Sequence, residues 1–309
     1  MYHGCRVFAA TDLYYQPINL VAVDPNSATI LANYPNVAID SGVGFSGGKA
    51  IIEWNIASNS TPTYSTSGQM DAAATMPWQA GFWVETCCSD HHGYALNTQT
   101  CGDYEGYQVY FPPFSIAAGH FWNLGASLAS QYATPEYSHG AEAADMPQIA
   151  GAYLSDRDCC GVPITHAGEW IGLTGFSACT SCAADWGYVR PADSSVGPVP
   201  NGCAAAGCAG THMIYGDRLR LHSSFTLACI GAGTCPQTAS IVQALKTYGT
   251  FFSDGGATVG FRFGNGADGS NNWNASDLAN LRQIHMSDFD VVSRAVSGGL
   301  ICPPGHSGC

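Results

Sequence analysis

Positive charge is what this chain has least of: ten Lys and Arg stand against 23 Asp and Glu in 309 residues, a formal net charge of −13. Affinity for nucleic acid comes largely from Lys and Arg contacts that displace phosphate counterions. No basic cluster makes up the deficit, so a nucleic-acid partner is excluded. Charged residues of both signs reach only 11%, against about 25% in an average soluble domain. Long apolar runs are missing too, and none approaches the roughly 18 residues of a membrane span. The opening Met1-Tyr-His-Gly-Cys5 has neither the basic start nor the apolar stretch of a signal peptide, so the chain is expected to begin at or near a mature domain. No internal repeat of about 20–50 residues is visible, which argues against a solenoid or propeller.

Cysteine, by contrast, is abundant. Fourteen of them are too many for a reduced cytosolic protein and point to an oxidising, extracellular compartment. The expectation is that Cys5, Cys87, Cys88, Cys101, Cys159, Cys160, Cys179, Cys182, Cys203, Cys208, Cys229, Cys235, Cys302 and Cys309 are all disulfide-bonded. The adjacent pairs Cys87-Cys88 and Cys159-Cys160 should each staple two different partners, because bonding neighbours strains the peptide. Cys179-Thr-Ser-Cys182 with Cys203 and Cys208 is spaced like a four-thiolate zinc site. The compartment favours disulfides there, and no metal is expected on sulfur. Sequons at Asn59 and Asn274 suit a secreted glycoprotein.

Most of the chain reads as short strands between Gly-, Pro-, Ser- and Asn-rich turns. Expected strands are Ala50–Ile56, Gly81–Thr86, His92–Asn97, Glu105–Phe111, Ile149–Leu154, Glu169–Phe176 and Arg218–Phe225. Gln237–Tyr248 spaces Ile241, Leu245 and Tyr248 as one helical face, with start and stop signals on either side. Asn274–Gln283 predicts a shorter helix. Residues 179–210 read as a cysteine-rich inserted loop. The fold class that follows is all-β, a β-sandwich or jelly roll with one or two short peripheral helices, formed by residues 1–309 as a single β-rich domain.

Several groups are candidates for chemistry. His92 opens a strand after Asp90, and His166 sits at another strand end. Glu105 shares a strand face with Tyr107, making it a candidate acid or base. A hairpin turning near Thr100-Cys101 would set Glu105 opposite Leu96 and His92 opposite Val109, more than about 10 Å apart. Arg218, Arg220 and His222 alternate along one strand face, either as a solvated side or as a groove for an anion, since Arg grips carboxylates bidentately. Trp122, Trp170 and Trp273 are candidates to line a sugar-binding groove. Asp254, Asp268, Asn271 and Asp277 form an Asp/Asn-rich region able to offer Ca²⁺ hard oxygen ligands, although no twelve-residue calcium loop is present. Gly44-Phe-Ser46-Gly-Gly48 matches a nucleophile elbow in letters but lacks the following helix.

Cys5-Arg-Val-Phe8, Asp90-x-His92, Met146-Pro147, Gly216-x-Arg218-x-Arg220-Leu221, Ala244-Leu-Lys-x-Tyr-Gly249 and Trp273…Leu278…Phe289-x-Val-Val292 occur in this order. The order resembles a family of secreted, mostly uncharacterised bacterial β-rich proteins whose C-terminal part carries an Ala-Leu-Lys-Lys-Tyr-Gly segment. It spans most of the chain and is strongest over residues 212–292. The resemblance implies a carboxylate at Glu105, a histidine at His166, a secreted location and a β-rich architecture. His222 stands where the family has Lys, and the cysteine-rich insertion is extra.

Together these point to an extracellular carbohydrate-active protein that binds or cleaves a polysaccharide, as a lyase or hydrolase, with His92, His166 and Glu105 as catalytic groups. Arg218, Arg220, His222, Trp122 and Trp170 would bind the substrate, which the arginines would make acidic. Two alternatives remain open: a self-assembling structural subunit of a fibre, sheath or appendage, suited by low charge and exposed strand edges, and a lectin without chemistry.

Overall fold

In the computed structural model the described residues are 1–40, 51–86, 90–132, 140–160, 162–173, 188–193, 210–230, 233–256, 259–265 and 272–301. Their strands form several sheets, two of them five-stranded, with a few short helices. The first large sheet contains β1 (Trp54–Ala57), β2 (Met70–Asp71), β3 (Gly93–Asn97), β4 (Gly102–Tyr107) and β5 (Ala118–Asn123), in the order β1-β3-β4-β5-β2. The second contains β6 (Gly168–Leu173), β7 (Arg218–Leu221), β8 (Thr250–Gly256), β9 (Gly260–Phe261) and β10 (Phe289–Val291), in the order β9-β6-β8-β7-β10. Both are mixed: β1–β3, β2–β5 and β6–β8 pair in parallel and their other neighbours antiparallel.

The expected hairpin is present with its register moved. Tyr94 lies opposite Glu105 and Leu96 opposite Asp103, whereas the sequence placed Leu96 opposite Glu105. The turn is Thr98–Cys101, with Cys101 in the left-handed region (φ 55°) and at disulfide distance from Cys5. A shift of two residues leaves every side chain on its face, so the alternation survived the error. The strand does not run on to Phe111. Gln108 takes φ 51° and turns the chain, so Val109 packs with Trp78, Met76 and Ala95 on the opposite face of the sheet.

Other expectations change for local reasons. Residues 81–86 form no strand: Gly81 turns the chain at φ 87°, and the Asn55 side chain bonds both the N–H and C=O of Trp83. Ile149–Leu154 divides into a helical turn, Gln148–Gly151, and a two-residue strand, Tyr153–Leu154. Within the stretch read as an inserted loop, Tyr188–Val189 pairs with Leu300–Ile301, and Tyr188 and Val189 are buried. Cys159 and Cys160, expected to find separate partners, are at disulfide distance from each other, the second with φ 69° that folds the chain back. Cys229 and Cys235 form a third close pair. The remaining cysteines, Ser46, Asp268 and Asn271 lie outside the described residues.

The main helix is Pro236–Thr247. Its Pro sits at the first position, where no N–H is needed, and the Asp277 carboxylate accepts from the N–H groups of Gln237 and Thr238. Ile241 and Leu245 are fully buried, each contributing about 1.5–3 kcal/mol by leaving water. Tyr248, expected on the same face, is the half-buried C-cap. One core cluster joins these residues to Trp54, Tyr94 and Trp122 of the first sheet and Trp170, Leu219 and Phe251 of the second. No described helix is long and apolar enough to cross a membrane.

Candidate functional site

Register places a polar row across the core face of the first sheet. Trp54 lies beside Tyr94, Tyr94 opposite Glu105, Glu105 opposite His120, and His120 beside Asp71. One segment, residues 141–151, crosses this row and supplies its partners. The N–H groups of Gln148 and Ile149 donate to the two oxygens of Glu105 at 3.1 and 3.2 Å. Tyr94 donates its hydroxyl to Gln148 Oε1 at 2.9 Å. Asp145 holds His120 Nδ1 at 2.9 Å, and the carbonyl of Ala141 takes His92 Nε2 at 2.9 Å.

From the second sheet come Glu169 on β6, Asp254 on β8, and Arg262 just after β9. Arg262 bonds Glu142 of the crossing segment, and stands 3.6 Å from Glu169 and 3.5 Å from Asp254. Glu169 also accepts from the Tyr14 hydroxyl. Gly151 packs so closely that a Cβ there would lie 2.2–2.7 Å from the Glu169 side chain.

Burial sets the protonation of these acids. It pushes Asp103 up to about 7 despite the Trp54 N–H that bonds it. Glu105 rises well above the usual carboxylate range through burial and the like charge of Asp103. Burial raises Glu169 to about 7 against the pull of Arg262 and Tyr14. Glu142 is also well above its ordinary value, because burial and neighbouring acids outweigh Arg262. Glu142 Oε1, Glu169 Oε2, Arg262 Nε and Gln148 Nε2 are buried without a hydrogen-bond partner. Such unmatched atoms are uncommon in a finished core.

Solvent reaches this assembly at its rim, where the side chains of His92, Glu85 and Asp254 are 12%, 13% and 25% exposed. The Ala141 carbonyl can only accept, so His92 carries a hydrogen on Nε2. On the other side of the ring, Nδ1 lies 2.7 Å from Glu85 Oε2. His92 is therefore paired with Glu85, not Glu105.

The other sequence candidates lie apart from this assembly. Arg218 is buried, donates to the carbonyls of Gln16 and Tyr248, and lies over the Phe251 ring at 4.6 Å. Arg220 donates to the carbonyls of Ile18 and Val21 and pairs with Asp290, which also takes His222 at 3.2 Å. The arginine stripe ties the N-terminal segment to β7; most of its donors are taken, and Arg218 Nη1, which has no hydrogen-bond partner, is buried. Trp122, Trp170 and Trp273 are 0%, 2% and 6% exposed and line no sugar groove. His166 is buried in a network with Asp158 and Arg157. Burial raises the Asp158 carboxyl, but Arg157 and His166 overcome this and hold it well below its usual range. Asp254 faces Arg262 and Asp277 caps a helix, so neither contributes to the calcium cluster read from sequence. Asn59 and Asn274 are exposed, and the Asn274 side chain caps Ala275–Leu278.

Glu85, Glu142, Glu169 and Arg262 were not singled out in sequence. Their only signal was their rarity as charges inside apolar stretches, as in Gly260-Phe-Arg262-Phe263. No protein-family model, no curated protein and no solved structure matches the chain.

Proposed function

We propose that this protein is an extracellular carbohydrate-active enzyme, a hydrolase or lyase whose chemistry centres on Glu142, Glu169, Arg262 and the His92–Glu85 pair. The observation that carries the reading is a set of carboxyl groups that hold protons near neutral pH around one arginine. Sugar-cleaving sites need such a pair, one carboxyl kept protonated as acid and another group ready as base. Glu169, poised near 7, is the proton donor in this reading. Glu85 at the exposed rim, held by His92, is the base.

The secreted location belongs to the same proposal, supported by the cysteine count and the three pairs at bonding distance. So do packing of the two large sheets as a sandwich and kinship with the secreted bacterial family that the sequence resembles. An acidic substrate is no longer part of it, because most Arg218 and Arg220 donors are committed to backbone carbonyls or Asp290 and Arg218 is buried.

Sugar release from a panel of neutral and acidic polysaccharides tests the reading. Turnover should appear on at least one, and Glu169→Gln and His92→Asn should each lower it by about 10²–10⁴-fold, with the fold retained by circular dichroism. Turnover that survives both substitutions would place the chemistry elsewhere. Absence of binding and release on every glycan, together with ordered polymers in electron micrographs, would favour the structural-subunit alternative.

A further inference from the structure

Beside the row's acid lies a second constellation that the proposed chemistry does not use. His120 on β5, Asp71 on the edge strand β2 and Asp145 of the crossing segment bring one ligand atom each to within 4.8 Å of one another. Both oxygens of Asp145 face His120 Nδ1, at 2.9 and 3.1 Å. The other ring nitrogen, Nε2, is buried without a hydrogen-bond partner, although the side chain is only 1% exposed. The Trp122 indole lies on the imidazole at 3.6 Å with the rings 2° from parallel, which fixes the plane of the ligand. Stacking holds the ring in one orientation, with Nδ1, the nitrogen that faces Asp145, as its ligand atom.

We infer that Asp71, His120 and Asp145 form a site for one divalent transition ion of the Zn²⁺ or Mn²⁺ class. One imidazole with two carboxylates suits a borderline ion better than Ca²⁺, which takes six to eight oxygens. Ligand atoms that share an ion at about 2.1 Å stand roughly 3–3.5 Å apart, so the set closes with a movement of about 1 Å. Asp71, half-buried at the sheet edge, is the most exposed of the three, and its side chain closes the set by exchanging its present contacts for the ion. Bound there, the ion fastens the edge strand to β5 and to the crossing segment three residues before Gln148, whose N–H holds Glu105. This site stands independently of the proposed enzymatic activity.

Calorimetric titration of the chelator-stripped, full-length protein with Zn²⁺, Mn²⁺ and Ca²⁺ separately tests it. One equivalent of Zn²⁺ or Mn²⁺ should bind, at least tenfold tighter than Ca²⁺, and should raise the melting temperature. Asp71→Asn should weaken that binding at least tenfold, and Asp145→Asn should abolish it. Asp71 is the more exposed ligand, so its variant keeps the test valid if Asp145→Asn fails to fold. No binding of either transition ion, or binding unchanged in Asp71→Asn, would overturn the assignment.

Discussion

Two polar regions of this molecule look alike in sequence and differ in what their atoms do. The β7 stripe of Arg218, Arg220 and His222 and the crossing of residues 141–151 over the first sheet both place charges on core-bordering strands. In the stripe, most donors end on a backbone carbonyl or on Asp290. At the crossing, Glu142, Glu169 and Arg262 are buried against one another with hydrogen-bonding capacity left over. The lesson is that a charge pattern becomes a site only where the backbone has not already used it. Cations bonded to backbone carbonyls hold a chain segment in place, whereas carboxyls that carry protons in a low-dielectric setting are able to give them up.

Substitutions at the two arginines separate the regions most sharply. Replacing Arg262 by Met should cost about 3–5 kcal/mol in urea denaturation at pH 8, where Glu169 is ionised, because it strips the cation from a buried carboxylate. Arg218→Met leaves two carbonyls without donors and should cost less, about 1–3 kcal/mol. A reversed order would break the comparison. Activity should divide the same way: Arg220→Ala should leave sugar release within about twofold, against the loss of 10²-fold or more expected for an acid–base residue. A large loss in Arg220→Ala would return the stripe to the site.

A smaller and more specific effect concerns pH. Asp103 and Glu169 each titrate near 7 when folded, above the ordinary carboxylate value of about 4. Between those values the folded protein binds more protons than the unfolded chain, so stability should fall as pH rises from about 4 to about 7. Asp158 acts in the opposite sense, losing its contribution only as pH drops below about 4. Melting temperatures recorded from pH 4 to 8 should decline across that window, and Asp103→Asn should flatten part of the slope. A flat or rising wild-type profile would contradict the buried-acid account.

Local pattern made much of the fold legible. A short run between turn residues found β3, alternation found the start of β7, and the Ile241 and Leu245 spacing found the long helix because packing and propensity agree there. Features that depend on distant partners were not legible. Cys101 sets the hairpin turn together with Cys5, 96 residues away, and the Asn55 side chain rather than a strand takes both backbone groups of Trp83. The site is less legible still. Glu142 and Arg262 are 120 residues apart in sequence, and His92 finds Glu85 across an unladdered segment. Nothing in the spacing of Arg218 and Arg220 revealed that residues 16–21 would return to take their donors.

The central claim is that the acids under the crossing segment hold protons at neutral pH. Infrared titration of the protonated carboxyl C=O stretch measures this directly. The account predicts a band from buried carboxylic acid that persists at pH 7, part of it titrating near that pH and lost in Glu169→Gln, with a further part lost in Glu105→Gln. A spectrum at pH 7 with no protonated carboxyl band, unchanged by either substitution, would contradict it.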